Sequence, residues 1–254
     1  MEGILILDKP SGITSHDACD RVKHILKLNK VGHAGTLDPM VTGVLVIALE
    51  SSTKALRLFN GLNKTYVGKG HLHEDVPLEK LKKTIEKNFI GKIMQTPPKR
   101  SRVKREERER EIFEFRILKK EGKNFEFIVS CQAGTYIRKL IDDLGKAMNI
   151  GSHMTFLHRT NQGPFSDNES IKIEELENKD KLSKSLLTLN EAIKRLGVET
   201  IEVNDSQELM IRQGKMIDFN PSDFKTAPAV AINKQRVIAL MEQRENKLKP
   251  DRVI

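Results

Sequence analysis

The chain has 254 residues, 38% of them hydrophobic, and a formal net charge of +9. This length allows one large domain, or one domain with a small appendage, around an ordinary buried core. The excess of lysine and arginine favours a polyanionic partner, with nucleic acid as the leading class. No apolar run reaches membrane-spanning length, and Cys19 and Cys131 form no CxxC pair. We therefore expect no membrane association, and a reducing, cytoplasmic setting with both cysteines in the core.

The first half of the chain predicts short strands between amphipathic helices. The stretch "GILILDKPSG" (3–12) predicts an apolar strand that its proline and second glycine end. Ser15 then caps a helix with one apolar stripe. The unbroken apolar run 44–50 predicts a buried strand. Residues 77–88 predict a helix that begins at a proline and turns Leu78 inward.

The second half begins with a predicted hairpin, and its last part changes to short apolar runs. Residues 112–118 and 124–131 alternate apolar and polar around a glycine turn, which is typical of paired strands. An amphipathic helix entered through Gly134 follows. The segment 167–180 has six acids against two lysines and is expected to be a solvated connector. From about Leu196 onwards, short apolar runs predict a small set of strands.

The overall pattern is mixed α+β with a largely antiparallel sheet, rather than alternating βαβ units. Neither the dinucleotide-binding nor the P-loop glycine spacing is present, so both nucleotide-binding classes are disfavoured. The change to short apolar runs near Leu196 predicts a boundary between a larger domain, residues 1–195, and a small β-rich domain, residues 196–254.

The loop "GHAGTLDPMVTG" (32–43) holds a single acid, Asp38, among glycines and apolar residues. An aspartate before a proline commonly stabilises a turn, and this interpretation stays open. The alternative is a carboxylate held on a rigid loop for nucleophilic or general-base chemistry. The lack of a second nearby acid argues against the paired carboxylates of glycosidases. His33, at the start of the loop, either orients a phosphate or caps the loop.

Two tyrosines and one arginine are further candidate site residues. In "QAGTYIRKL", Tyr136 and Arg138 can flank a cleft if they lie at a helix entrance. An arginine there could hold a buried carboxylate in its charged form, although a surface arginine is the plain alternative. Tyr66 is either a core residue or a stacking platform for an extruded base.

His71 and His73 lie two positions apart, so on a strand both would point the same way, as metal ligands can. No third ligand with suitable spacing is evident in the sequence. We therefore expect no metal site.

The tract "PPKRSRVKREERER" (97–110) has seven basic residues against three acids. It is either a solvated segment with internal ion pairs or a track for RNA phosphates. The phosphate track is expected to involve its first five basic residues: Lys99, Arg100, Arg102, Lys104 and Arg105.

Six motifs occur together in family order: "LDKPSGITSH", "VGHAGTLDPMVTGVLVIALESSTK", "NKTYV", "QTPPKRSRVKR", "AGTYIRKLIDDLG" and "SHMTFLHRTNQGPF". With these motifs the chain resembles the TruB/dyskerin family of pseudouridine synthases from Gly3 to about Phe165. The resemblance implies an enzyme that isomerises uridine to pseudouridine in RNA without a cofactor.

The resemblance also implies roles for individual residues. Asp38 would be the catalytic aspartate, acting either as a nucleophile on the sugar or as a base, and Arg138 would pair with it. Tyr66 would stack on the flipped uridine and Tyr136 would lie beside the base. Leu157 matches an apolar pocket residue near the base, and Lys9 matches a lysine that supports the active-site loops.

Within the family, "HLHEDVP", "TPPKRSRVKRE" and "HRTNQGPF" are similar to the archaeal and eukaryotic dyskerin branch. That branch implies a catalytic subunit of box H/ACA particles, with a guide RNA, small partner proteins and rRNA or tRNA as target. The strands after Leu196 resemble a PUA RNA-binding domain. His158 departs from the pattern, because an arginine is common there. The short termini favour a stand-alone enzyme acting on the tRNA T-arm, and a non-catalytic RNA scaffold is the third hypothesis.

Overall fold

The computed structural model describes residues 1–97, 104, 106–219, 229–244 and 247–254. The strands of the first sheet are β1 (Gly3–Lys9), β2 (Val31–Ala34), β3 (Thr42–Leu49), β4 (Lys64–Leu72), β5 (Gly91–Gln95), β6 (Arg108–Glu121), β7 (Asn124–Cys131), β8 (Ser152–Gln162), β9 (Phe165–Ser166), β10 (Ile171–Lys172) and β11 (Leu186–Leu187). Those of the second are β12 (Thr200–Glu202), β13 (Ile217–Asp218), β14 (Ala229–Asn233), β15 (Arg236–Arg244) and β16 (Lys247–Val253). The helices are α1 (Ser15–Ile25), α2 (Arg57–Asn60), α3 (Leu78–Asn88), α4 (Ile137–Ala147), α5 (Lys179–Ser185), α6 (Leu189–Leu196) and α7 (Asp205–Arg212).

The first sheet has the strand order β10-β1-β3-β8-β4-β7-β6-β5, with β11 on β1, β2 on β3 and β9 on β8. Its pairs are antiparallel except β1 with β10 and β3 with β8. After Thr42, the strand β3 is apolar and buried at every position, whereas β4 alternates buried and more accessible residues. The predicted α+β class with a largely antiparallel sheet, including the hairpin of β6 and β7, is confirmed.

The helix α1 begins as predicted but with a different cap. Thr14 is the N-cap, and its hydroxyl and the carboxylate of Asp17 form a reciprocal capping box. The prediction that Ser15 caps the helix is therefore wrong. Ser15 is buried instead, and its hydroxyl accepts a hydrogen bond from the Leu37 amide and donates one to the Leu37 carbonyl. Because Thr14 caps the helix, the hydroxyl of Ser15 is available to hold the loop that contains Asp38.

Two predicted side-chain environments are also wrong. Leu78 is exposed because it lies in the first turn of α3, where Leu81 and Ile85 already form the buried face. The acidic segment 167–180 is not a solvated connector. Within it β10 pairs with β1, and Ile171, with two further apolar residues of the segment, is buried in the core beneath that strand.

The second sheet lies in the C-terminal part of the chain, as the texture of the sequence predicts, and it is joined by α7, which the sequence did not indicate. This sheet has its own apolar cluster. Its strands β14 and β15 also contribute Val230, Ile232 and Leu240 to a cluster that includes residues of β1 and β3. The two sheets therefore share buried apolar surface.

Both cysteines are buried, as predicted. None of the helices in the described ranges is long and apolar enough to span a membrane. His71 and His73 lie near His153, with ring centroids 5.3 Å and 5.4 Å from it. Among the residues that the structure describes, no three histidine, cysteine or acidic side chains form a group that could hold a metal ion.

Candidate active site

A small cleft lies where the Asp38 loop, β4, the entrance of α4 and β8 meet. It is lined by Asp38, Tyr66, Tyr136, Arg138 and Leu157, together with Leu37, Val41 and Met154. The guanidinium Nη2 of Arg138 is 3.2 Å from Oδ2 of Asp38. The predicted ion pair between these distant positions of the chain is confirmed, and five of the proposed site residues meet in one place.

The expectation of a buried carboxylate is wrong. The side chains of Asp38 and Arg138 are 54% and 56% exposed, because the cleft is open on the side where the two meet. An ion pair with this exposure contributes between about 0 and 1 kcal/mol to folding. The pair therefore orients two groups towards an open cleft more than it stabilises the fold.

Lys9 lies beneath the Asp38 loop and does not line the cleft. Its fully buried ammonium donates hydrogen bonds to the carbonyls of Pro10 at 2.8 Å, Ile13 at 2.7 Å and Pro39 at 3.2 Å. Burial, followed by the charge of Arg159, lowers the pKa of Lys9. Because Pro39 follows the acid directly, Lys9 joins the loop to the turn after β1.

Two more buried cations, Arg159 and Lys64, lie near the loop, and neither was predicted from the sequence. Arg159 donates from Nε to the Val44 carbonyl at 2.7 Å and from Nη2 to the Gly35 carbonyl at 2.9 Å. Lys64 is buried against the carbonyls of α2 and the turn after it, and burial lowers its pKa to about 8. One signal for Arg159 was available, since two-residue alternation places it on the same strand face as Leu157.

Tyr66 and Leu157 form the buried wall of the cleft, with 8% and 6% of their surface exposed. Tyr66 and Arg159 are cross-strand partners, and the phenolic oxygen is within hydrogen-bonding reach of the guanidinium. Burial raises the pKa of Tyr66. The hydroxyl therefore has a partner inside the protein, while the residue also lines the cleft.

The other wall is the entrance of α4. Tyr136 is the N-cap residue, and no side chain caps the helix there. Gln95, at the end of β5, instead holds the backbone of Tyr136. Its Oε1 accepts from the Tyr136 amide at 3.0 Å, and its Nε2 donates to the Tyr136 carbonyl at 3.3 Å. Nothing local in the sequence indicates this role of Gln95, since its partner is 41 positions away.

His33 lies on β2 and is not among the residues that line the cleft. Its Nδ1 is buried and has no hydrogen-bond partner within the part of the chain that the structure describes, and burial, followed by the charge of Arg159, lowers its pKa. A lowered pKa favours the neutral imidazole at neutral pH. This state weakens the hypothesis that His33 orients a phosphate.

His158, which stands where an arginine is common in the family, connects the far end of the Asp38 loop to the segment after β9. Its Nδ1 is 2.7 Å from the hydroxyl of Thr42, and its Nε2 is 3.5 Å from the carboxylate of Asp167.

The predicted phosphate track falls mainly on Lys99, Arg100, Arg102 and Arg105, which lie outside the described residues. Lys104 is described, is exposed and forms an ion pair with Glu106.

Comparison with known proteins gives two matching family models. The N-terminal domain model of the TruB family pseudouridylate synthases matches residues 23–137, and the C-terminal domain model of tRNA pseudouridylate synthase B matches residues 138–195. A Methanopyrus kandleri protein named "Probable tRNA pseudouridine synthase B" is 48% identical over 176 residues, which cover 69% of this chain and 52% of that protein. The chain spans about half the length of the curated relatives it matches.

Two solved structures are similar over 99% of this chain and 84% of their own. One is "Crystal Structure of a Cbf5-Nop10-Gar1 Complex", with a TM-score of 0.84 at 30% identity. The other is "Structure of H/ACA RNP bound to a substrate RNA containing 2'-deoxyuridine", with a TM-score of 0.82 at 29% identity. With the two family models covering residues 23–195, this chain belongs to the TruB family of pseudouridylate synthases.

Proposed function

We propose that this chain is an RNA pseudouridine synthase, which isomerises uridine to pseudouridine. The observation that carries the proposal is the ion pair between Asp38 and Arg138, at 3.2 Å in an open cleft beside Tyr66. Membership of the TruB family supports it. A structural role for the pair is a weaker explanation, because a half-exposed ion pair contributes little to folding.

The proposed reaction rearranges one nucleoside. The bond between N1 of uracil and C1′ of ribose breaks, the base rotates, and a bond forms between C5 and C1′. C5 loses a proton and N1 gains one, so that product and substrate are isomers and no redox partner is consumed. Catalysis therefore depends on holding the freed base in place until it rejoins the sugar.

Each wall of the cleft has a part in this reaction. Asp38 attacks the sugar or removes a proton from it, and Arg138 orients the carboxylate through charge-assisted hydrogen bonds. Tyr66 stacks on the extruded base, and Leu157 excludes water from the other side of it. Tyr136 lies beside the base at the entrance of α4.

We further propose that the enzyme acts with a box H/ACA guide RNA on rRNA or tRNA, assisted by small partner proteins. The supporting observation is the similarity of nearly the whole chain to structures of such particles. The region that these structures match includes residues 196–254, which we propose form a PUA-like RNA-binding domain after a catalytic domain of residues 1–195. The buried, unpaired cysteines favour a cytoplasmic location.

A second candidate is a stand-alone enzyme that modifies the tRNA T-arm. The observation in its favour is that the Methanopyrus kandleri relative is named "Probable tRNA pseudouridine synthase B".

One experiment tests both levels of the proposal. Purified chain is incubated with a tRNA transcript and with a guide-matched RNA, each with and without guide RNA and partner proteins, and pseudouridine is measured by mass spectrometry of the nucleosides. Product that requires the guide supports the H/ACA proposal, and product from tRNA alone supports the second candidate. No product in any mixture, with intact RNA binding, would leave the non-catalytic scaffold.

A further inference from the structure

Arg159 carries a buried charge that no acid among the described residues neutralises. It is 1% exposed, and the described residues that interact with it include Tyr66 and Cys131 but no carboxylate. A buried cation without an acidic partner is costly, and burial lowers the pKa of Arg159. Because the charge itself is costly to bury, the benefit of Arg159 must lie in where its guanidinium directs its hydrogen bonds.

Those hydrogen bonds connect the two ends of the Asp38 loop. The Gly35 carbonyl, before the acid, accepts from Nη2, and the Val44 carbonyl, after it, accepts from Nε. A guanidinium is planar and holds its donors in a fixed fork, so it sets the distance between two acceptors. The ends of the loop are therefore joined through one rigid group.

The loop also rests on the backbone of the same residue. Gly43 pairs with Arg159 between β3 and β8, and its φ of +103° is a conformation that favours glycine. A Cβ atom at Gly43 would lie 2.3 Å from the Arg159 carbonyl oxygen. The backbone of Arg159 thus fixes the end of the loop, while its side chain reaches back to the beginning.

The third contact of the guanidinium is the hydroxyl of Tyr66, its cross-strand partner on β4. Tyr66 and Asp38 lie on different elements, and both line the cleft. The side chain of Arg159 therefore contacts both the loop that carries Asp38 and the hydroxyl of Tyr66 across the cleft from it.

We propose that Arg159 is a positioning residue, which sets the Asp38 loop against Tyr66 through its planar guanidinium without touching the substrate. This inference rests on the proposed function. A lysine at this position would keep the charge but lose the fork. Because a displacement of about 1 Å can cost roughly 100-fold in rate, the loss should fall on kcat and leave RNA binding nearly unchanged.

The test compares Arg159→Lys with Arg195→Lys, which changes a half-exposed arginine of α6 that pairs with Glu169 outside the cleft. We expect Arg159→Lys to lower kcat roughly 10- to 100-fold while the Kd for RNA changes less than about threefold, and Arg195→Lys to match the wild type. Unchanged kcat in Arg159→Lys, or equal losses in kcat and affinity, would overturn the proposal.

A rescue experiment separates positioning from general support of the fold. In Arg159→Ala, millimolar guanidinium should restore part of kcat, whereas methylammonium, a cation without the planar fork, should not. If both cations restore kcat equally, or if neither restores it in a folded variant, the planar donor arrangement of the guanidinium is not what Arg159 contributes.

Hydrogen exchange keeps the proposal testable if Arg159→Ala does not fold or if the wild type makes no pseudouridine. In Arg159→Lys, amides of residues 35–43 should exchange faster than in the wild type, while those of the hairpin of β6 and β7 should not. A wild type without activity in every mixture refutes the proposed function alone. Unchanged protection of residues 35–43 refutes the role of Arg159.

Discussion

The two sides of the Asp38–Arg138 pair are held in different ways. On the acid side, two buried cations, Lys9 and Arg159, bond to backbone carbonyls within the loop or at its end, and the stem of a third, Lys64, lies near Gly35. On the arginine side, the side chain of Arg138 is more than half exposed, and Gln95 holds only the backbone at the entrance of the helix.

This difference indicates that the acid side and the arginine side have different roles. Carbonyls rather than carboxylates satisfy the cations beneath the loop, so Asp38 keeps its own charge available to the cleft. The rigid acid side sets where chemistry takes place, since buried hydrogen-bonded groups have one arrangement. The open arginine side can adjust when a substrate covers it.

The largest effect is expected at the acid itself. Asp38→Asn keeps the shape of the side chain but removes the charge, so pseudouridine formation should vanish while RNA affinity stays within a few-fold. Asp142→Asn, which changes an acid on α4 that bonds Lys146, is the matched control and should keep wild-type turnover. Turnover of Asp38→Asn near that of the wild type would refute the catalytic assignment.

Next comes the open side of the pair. Arg138→Ala should cost about 2 to 4 kcal/mol of transition-state stabilisation, because the bound RNA covers an acid that has lost its partner. The free energy of unfolding should change by less than about 1 kcal/mol, since the pair is half exposed in the free protein. Single-turnover kinetics and urea denaturation measure the two quantities. A larger loss of stability than of rate would make the pair structural.

The ring and the hydroxyl of Tyr66 can be separated. Tyr66→Ala removes a stacking platform that contributes about 1–3 kcal/mol, so productive binding of the flipped uridine and turnover should both fall. Tyr66→Phe keeps the ring and should bind RNA normally, but it removes an acceptor from Arg159 and should lower the free energy of unfolding by about 1 kcal/mol. If both variants lose the same activity, the hydroxyl matters and stacking is the wrong account.

The buried ammonium of Lys64 predicts a dependence of stability on pH. The pKa of Lys64 is about 8 in the folded protein, against 10.5 for the unperturbed group. Between these values the unfolded chain binds more protons, so the free energy of unfolding rises with pH, by at most about 1.4 kcal/mol per unit. Burying the charged ammonium of Lys64 lowers the free energy of unfolding by the full amount below about pH 8 and by nothing above pH 10.5. Urea denaturation across this range should give a rising difference between the wild type and Lys64→Met, and a flat difference would contradict the assignment.

The smallest effect is expected in the basic tract between β5 and β6. If it follows RNA phosphates, charge reversal at Arg100 and Arg102 should weaken binding to all RNAs and reduce the log–log salt slope by roughly one unit per lost contact. The same change at Arg108 and Arg110, beside Glu109, should do much less. RNA affinity across a salt series decides this, and equal slopes for the wild type and the Arg100/Arg102 variant would make the tract a solvated surface.

Part of this molecule was predictable from its sequence because the signals are local. Two-residue alternation predicted the hairpin of β6 and β7, and glycines around one acid pointed to the Asp38 loop. The motif order indicated the family and named Arg138 as the partner of Asp38. Such patterns depend only on which side chains lie within a few positions of each other.

The tertiary structure alone decided which polar groups are buried and what satisfies them. Arg159 reads as an ordinary surface arginine until β8 is placed beside both β3 and β4, and Gln95 has no evident task until β5 meets the entrance of α4. The acidic segment around Ile171 reads as a solvated connector, although its apolar residues enter the core when β10 pairs with β1. Burial and partnership are properties of contacts between distant positions, and those contacts exist only when the whole sheet is assembled.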